Sequence, residues 1–489
     1  MKRSVLRLVC LLLCLLQFTV LFAACKKEPE EKPIETTDNT QKGDGTVDEN
    51  GYELDSINRT LGGKEVNILT YTTSKDYLAP EQHTNGANYI TDEVYMRNLE
   101  LEARLGCTFN FVYVNGEWND RTTFVSAAEK SGDSNYDIIC SYSLWPSLLV
   151  VRGLLTNLKN LEYPELSKPW WPDSLSNYEV EGALYYVSNN SSIETVRSLS
   201  VMLVQNKMLE KRGLESLEDD VLDGTWTMDK MISYALMVDT NMDLPVSERE
   251  FGLVSWGETG IDYMYYGAGL EMVVKDANDK HVLMPETQTH KERVLTFISK
   301  LSPLCTTERF DMPRNSDVLN SARAMFYVAS MEDVQTLEDG NIYSVYPLPK
   351  LDETQKEYRT ISHNSYDTWC VPTSASSRED SALVIEGFAS SDYRTLAPLY
   401  YENRLKIRYS KDEIGAEIFD IVRHSAYLDF GRIASATLGV MEVPIRSCFW
   451  YEEEVQCTDR YITQLGENIN MYKTSLKSIL KYYEMYGDR

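Results

Sequence analysis

Between Val66 and Cys140 the chain alternates strand-like and helix-like segments, and that order sharply limits the folds open to it. The run at 66–71, VNILTY, is apolar enough for a buried strand. From about 90 to 105, Ile90, Val94, Leu101 and Leu105 share one helical face, and Gly106 ends it. The segment 107–114, CTFNFVYV, alternates as a strand, and a short helix follows over 124–130. At 136–140, YDIIC is the kind of run that sits mid-sheet with both faces covered. A β-α-β-α-β order of this kind closes into a parallel sheet with helices on its faces. Ligands of such sheets sit beyond the carboxyl ends of the strands. Ser141, Tyr142, Ser143 and Trp145 fall at that place. They form an aromatic floor beside hydroxyls, suited to a sugar ring, or else Trp145 simply caps the core edge.

A chain of 489 residues exceeds a single core, so two or more domains are expected. Its net charge of −27 becomes −30 without Lys2, Arg3 and Arg7, which argues against nucleic acid and against electrostatic attachment to anionic lipid. The 32 Tyr and 8 Trp outnumber the 13 Phe, a bias toward aromatic groups that carry a polar handle.

Lys2, Arg3 and Arg7 precede an apolar run at 8–21 that is too short to span a membrane comfortably. Leu21-Phe22-Ala23-Ala24-Cys25 then resembles a bacterial lipobox, with Phe22 where Leu is usual. The resemblance implies cleavage after Ala24 and lipid attachment at Cys25, with two or three acyl chains giving a stable anchor; the alternative is an ordinary secretory signal followed by an unrelated Cys. The expected organisation is a signal peptide over 1–24 and a lipid-anchored disordered tether over 25–60. The tether is rich in Glu, Asp, Lys, Thr, Pro and Gly and too poor in apolar residues to offset the entropy of ordering. The folded body would then stand on the extracytoplasmic face of the cell membrane.

VNILTY, VYMRNLELEARLGCTF, YDIICSYS, GLLTNL, YEVEGALYYVSN, VMLVQNKMLEKRGL, GTWTMDKMI and YSVYPLPK occur in that order. With the lipobox and the acidic tether, this succession resembles the extracellular solute-binding lipoproteins of ABC importers, in the carbohydrate-binding, maltose-binding-protein-like family of Gram-positive type. The resemblance covers about 60–489. It implies a periplasmic-binding-protein-like type II α/β fold, with two discontinuous lobes joined by a hinge around a ligand cleft. Lobe I would comprise 61–190 and 315–368, and lobe II 195–312 and 373–489. The chain would cross near 188–197, 312–318 and 366–374. The implied activity is capture of a carbohydrate, an oligosaccharide above all, by hinge closure, and its delivery to an ABC permease by a monomer that needs no cofactor and is not an enzyme. A lipid-anchored glycoside hydrolase, a binder serving a sensor, and an importer component for a non-sugar solute remain as alternatives. A hydrolase would need two carboxylates about 5–9.5 Å apart in the cleft, and no motif singles out such a pair.

The candidate ligand contacts are polar and aromatic groups at strand ends and crossings. Tyr71, Ser74, Tyr142 and Trp145 belong to the first lobe, and Asn189, Tyr366, Asp367 and Trp369 to the crossings. Trp256, Glu258 and Tyr263, from SWGETGIDYMYY, belong to the second lobe. Trp226 reads as packing, and Trp170 and Trp171, between two prolines, as lobe surface. Thr227 reads as a helix N-cap and Ser410 as the start of a capping box. Asp429-Phe430-Gly431 reads as a structural turn, and 460–485 as a long amphipathic helix. Six cysteines beyond Cys25 allow fifteen pairings. Cys107 and Cys140, expected on strands either side of the first, are too far apart to bridge; Cys448–Cys457 is open. The five His show no metal-ligand spacing.

Overall fold

The computed structural model describes residues 47–487 except 49, 72–74, 115–117, 133–134, 314–316, 338–342, 365, 411 and 450–456, and, for side chains, also 75–76, 118–120 and 403. Cys25, Ser74 and Trp450 lie outside the described residues.

Two main sheets are built, in chain order, by β1 (Lys64–Tyr71), β2 (Cys107–Val114), β3 (Ile138–Tyr142), β4 (Ser200–Val204), β5 (Phe251–Ser255), β6 (Phe310–Asp311), β7 (Ala324–Ser330), β8 (Ser344–Tyr346) and β9 (Asp367–Cys370). The helices that position the site are α1 (Tyr89–Leu105), α2 (Pro146–Val150), α3 (Ile193–Arg197), α4 (Met228–Ala235), α5 (Gly257–Gly267), α6 (Arg378–Ser391), α7 (Glu413–His424), α8 (Phe430–Ile433), α9 (Ser435–Leu438) and α10 (Cys457–Tyr486). The first sheet runs β9-β3-β1-β2. β1 is parallel to β2 and β3, and β9 lies antiparallel on β3. Cys107 and Cys140 therefore stand on opposite sides of β1, as expected. The second sheet runs β8-β4-β7-β5-β6 and is mixed. This is a two-lobed α/β architecture, each lobe centred on one sheet.

The grouping of segments differs from expectation. Residues 315–368 were assigned to the first lobe, yet β7 and β8 belong to the second sheet, and only β9 joins the first. No change of sheet occurs at 312–318, because β6 and β7 flank β5 in one sheet. Val187 pairs with Trp369 at the first sheet, so the chain passes to the second between 188 and β4, and it returns between β8 and β9. The stretch 373–489 is shared rather than confined to the second lobe. α6 packs on the first lobe, with the Phe388 ring 4.9 Å from that of Phe109. The same helical path continues through π-helical turns at Asp392–Leu396 and Pro398–Lys406, whose Tyr400 and Tyr401 join the core of the second sheet. α10 likewise ends on the first lobe. The Tyr483 hydroxyl donates to that of Tyr186 at 2.8 Å, and Gly153, at φ +67°, leaves room for the Tyr486 ring, which a Cβ there would meet at 2.7 Å.

Residues expected in the tether are also part of the body. Asp55 is buried, and its carboxylate takes both of its oxygens to Arg104 Nη1 at 2.7 Å and accepts from the Ser390 hydroxyl. Arg59 pairs with Asp380 at 2.7 Å, and the rings of Tyr52 and Tyr393 meet edge-on at 5.4 Å. An acidic, Gly-rich composition hides such docking because each contact is polar and its partner lies hundreds of residues away.

Local capping follows simple chemistry with two revisions. Thr227 occupies the N-cap of α4 without a side-chain cap bond. The cap of α7 is Asp412, whose Oδ1 accepts from Gly415 N at 2.8 Å, rather than Ser410. Asp429 caps α8, so the segment read as a turn is a helix start, with Phe430 and Gly431 its first residues. Trp226 is fully buried and its indole donates to Pro347 O at 2.9 Å. The six cysteines are free, with the Cys457 thiol donating to Cys448 O at 3.1 Å.

β5 approaches α4 so closely that only glycine fits at 252: a Cβ would lie 2.3 Å from Ala235 O. Gly252→Ala is expected to cost about 1–3 kcal/mol, since the backbone of α4 must move. Urea unfolding followed by circular dichroism reads this directly, and an unchanged midpoint would refute the close packing.

Candidate functional site

Parallel β1 and β3 end side by side, which brings Tyr71 and Tyr142 together with their rings edge-on at 6.3 Å. The Arg121 guanidinium lies 5.1 Å from the Tyr71 ring. Asp367 faces Tyr142 across the β9–β3 pairing. Asp367 is buried, and desolvation together with Glu194 and Asp392 pushes its carboxyl well above the ordinary range. Burial, and after it Asp367 and Glu194, raise the Tyr71 phenol.

The first crossing meets this cluster. Asn189 is buried: its Oδ1 accepts from Ser191 N at 2.9 Å and Ser192 N at 2.6 Å, and its side chain hydrogen-bonds Asp392. Asp392 also takes a hydrogen bond from Arg97, whose guanidinium lies 4.8 Å from the Phe388 ring and whose Nε donates to Asn98 at 2.8 Å. Burial pushes Asp392 up to about 6 against the pull of Arg97. Tyr366 is buried with its hydroxyl 2.6 Å from that of Tyr178, and the Ser143 hydroxyl donates to Asn364 O at 2.8 Å. From the second lobe, Trp256 and Glu258 stand half-buried at the end of β5, and Tyr263 is buried on α5.

The structure thus gathers Tyr71, Tyr142, Asn189, Tyr366 and Asp367 around one strand end and its crossing. It gives Trp145 and Trp369 different surroundings. Trp145 is fully enclosed in the core, in line with its packing alternative, and Trp369 is a buried strand residue with its ring 4.9 Å from Phe388, so neither presents an open stacking face. Trp170 and Trp171, expected on the surface, are buried and donate to Glu386. Sequence reasoning missed Arg97, Glu194, Asp392 and Arg432. Arg97 carried a signal: it falls on the same stripe as Val94, Leu101 and Leu105, a charge on the buried face of an amphipathic helix. Arg432 sits on the four-residue helix α8, too short for a periodicity to mark it.

Among the described residues no cluster of His, Cys, Asp and Glu is arranged to hold a metal, and no helix is long and apolar enough to cross a membrane.

No family model matches the chain, and no curated protein matches it. Solved structures do. The cyclic α-maltosyl-1,6-maltose binding protein of Arthrobacter globiformis is 13% identical, with a TM-score of 0.55 over 86% of this chain and 100% of that one. The galacto-N-biose/lacto-N-biose I-binding protein of a Bifidobacterium longum ABC transporter is 12% identical, with a TM-score of 0.53 over 87% and 99%. A sugar transporter structure from Rhizobium etli is 12% identical, with a TM-score of 0.52 over 86% and 99%. At these identities the likeness is one of fold. The chain has the bilobed α/β fold of the type II periplasmic binding proteins.

Proposed function

We propose that this protein is an extracytoplasmic solute-binding lipoprotein, anchored through Cys25, that captures a carbohydrate between its lobes and delivers it to an ABC permease. One observation carries the reading: a fold shared along nearly the whole folded body with proteins whose bound solutes are sugars. The site chemistry supports it. Tyr142 and Trp256 supply partly exposed aromatic faces for C–H patches of a pyranose, while Asp367, Glu258 and Asn189 supply or organise hydrogen bonds to hydroxyls. Tyr71, Tyr263 and Tyr366 line the surroundings. Closure about the crossings at 188–199 and 347–366 brings the lobes onto the solute and excludes water, and the closed form is what the permease recognises. The protein acts as a monomer and performs no chemistry on its ligand.

The test is a thermal-shift screen of residues 47–489 against mono- and oligosaccharides, amino acids and short peptides, with chromatography of the products. A ligand at one hundred times its dissociation constant adds about 2.7 kcal/mol to stability and raises Tm by several degrees. The expected result is a shift with one saccharide class, no turnover, and loss of that shift in Tyr142→Ala. Sugar turnover would show a hydrolase instead, and a shift with peptides alone would overturn the carbohydrate reading.

A further inference from the structure

Arg432 is the largest charged side chain fully buried among the described residues, and half of its guanidinium is committed while half is not. Its Nη1 donates to Asp262 at 2.8 Å and to Glu442 at 3.4 Å. Both carboxylates have further partners: Arg446 Nε donates to Asp262 at 2.8 Å, and Ser435 and Tyr266 donate to Glu442 at 2.6 and 3.2 Å. Two guanidiniums thus balance two carboxylates. Nε and Nη2 of Arg432 are buried with no hydrogen-bond partner among the described residues. These two atoms form one edge of the planar fork, with parallel N–H vectors whose spacing matches the two oxygens of a carboxylate. A buried donor left unmade is costly, and here two are left on the same edge.

The surroundings place that edge at the meeting of the lobes. α8 carries Arg432 onto α5 of the second lobe, where Asp262 precedes Tyr263. Burial pushes the Tyr366 phenol up to about 12 against the nearby Arg432 charge, and Tyr366 leads into β9 of the first sheet; burial likewise raises the Tyr263 phenol, with Arg432 opposing and Tyr142 adding to it. Nearby, Trp145 Nε1 is a further buried donor without a partner, on the residue that leads into α2; Ser147 of α2 is 2.7 Å from Thr437 of α9, the helix directly after α8. Asn364 Oδ1 and Asp367 Oδ1, in the stretch around Tyr366, are buried oxygens with no hydrogen-bond partner among the described residues. The junction therefore offers a donor-only fork on one side and hydroxyl-binding oxygens on the other.

We infer that the carbohydrate taken up is an acidic saccharide, a uronic acid or uronate-ended oligosaccharide, whose carboxylate docks on the Nε–Nη2 edge of Arg432. Sugar hydroxyls are donors as well as acceptors and leave such a fork under-used, whereas a carboxylate accepts only and fills both positions with charge-assisted bonds. The protein's charge of −27 slows encounter with an anion, but that long-range term is screened by salt, and the local fork sets the affinity.

This inference rests on the carbohydrate-binding reading, and the test separates the two. Isothermal titration of the wild-type protein uses matched pairs of monomers and dimers in gluco, galacto and manno configuration, each as the neutral sugar and as its uronate. One uronate is expected to bind roughly 100-fold more tightly than its neutral counterpart, because omitting the carboxylate strands two buried donors. In Arg432→Lys, which keeps the charge but lacks the fork, that preference falls at least tenfold, with the thermal melt confirming a folded protein. The wild-type comparison stands even if the variant does not fold. Equal or preferential binding of a neutral sugar overturns the acidic assignment and leaves the carbohydrate reading intact. Binding of peptides to the exclusion of every saccharide overturns both.

Discussion

Arg97→Leu is expected to lower stability by about 3–5 kcal/mol at pH 8, as removal of one partner from a buried ion pair does. Arg97 and Asp392 are both almost fully enclosed, and the pair lies where α1, α6 and the first crossing converge. Without the guanidinium, Asp392 faces Asp367 with Asn189 as its remaining side-chain donor. Protonation then limits the damage. Asp392 already stands near 6 with Arg97 present, so in the variant its folded value rises further above the unfolded one. A carboxyl raised in the folded state loses stability as pH climbs from its unfolded value to its folded value, so the deficit of the variant shrinks as pH is lowered toward 5. Urea unfolding at pH 5 and pH 8 measures both the size and the slope. Arg97→Leu combined with Asp392→Asn should recover most of the loss, since no buried charge then lacks a partner. A single variant within 1 kcal/mol of wild type, or a double variant no better than the single, would rule out the pair as the centre of this junction.

How far the sequence discloses such features depends on how local their cause is. The first sheet was readable because each of its parallel strands declares itself within eight residues and the intervening helices fix the order. Tyr71 and Tyr142 followed at once, since adjacent parallel strands end together. Asp367 was nameable as a crossing residue, but its place opposite Tyr142 depends on an antiparallel return of β9 over more than 200 residues. The assignment of 315–368 to the first lobe failed for the same reason. β7 is a fully buried apolar run, and such a run fits the middle of either sheet. Nothing within AMFYVAS says that it pairs with β4 and β5.

The polar groups of the junction were still less visible. Asp262 meets Arg432 from a distant segment, Glu442 meets it from the short segment that also carries Arg446, and each alone reads as a solvated charge. Tyrosine posed the opposite difficulty. The excess of Tyr was read as a binding surface, yet Tyr178, Tyr185, Tyr186, Tyr265, Tyr266 and Tyr483 are buried, with phenols satisfied by one another or by nearby carbonyl and carboxylate oxygens. Much of this aromatic content holds the lobes together, and a smaller part reaches the site.

Glu386 should show the second large effect, because two indoles depend on it. Trp170 Nε1 donates to its Oε1 at 2.9 Å, while Trp171 Nε1 and Glu165 N donate to its Oε2 at 3.1 Å each. The carboxylate pins the Pro-flanked segment around Trp170 and Trp171 to α6 in the first lobe. Glu386→Ala leaves two buried indole N–H groups and one part-buried backbone N–H unmade and is expected to cost about 3–5 kcal/mol. Burial pushes Glu386 up to about 7, against the bonds that favour its charged form. Between its unfolded value near 4.5 and 7 the native state binds more protons than the unfolded one, so this group's contribution falls as pH rises and levels off above 7. The total fall is about 3 kcal/mol at 1.36 kcal/mol per pH unit. Asp392 titrates in the same window, so wild-type stability alone cannot isolate Glu386. Glu386→Gln isolates it, since the amide does not titrate while every other group is kept. The amide must turn its N–H₂ toward at least one of the three donors, so the variant is less stable at pH 5. The gap then narrows by about 3 kcal/mol by pH 8, where wild type must bury a charge that the variant lacks. Urea unfolding of the two proteins at both pH values decides it. A gap independent of pH would mean that Glu386 is ionised throughout in the native state, and that its three hydrogen bonds outweigh the cost of burying it.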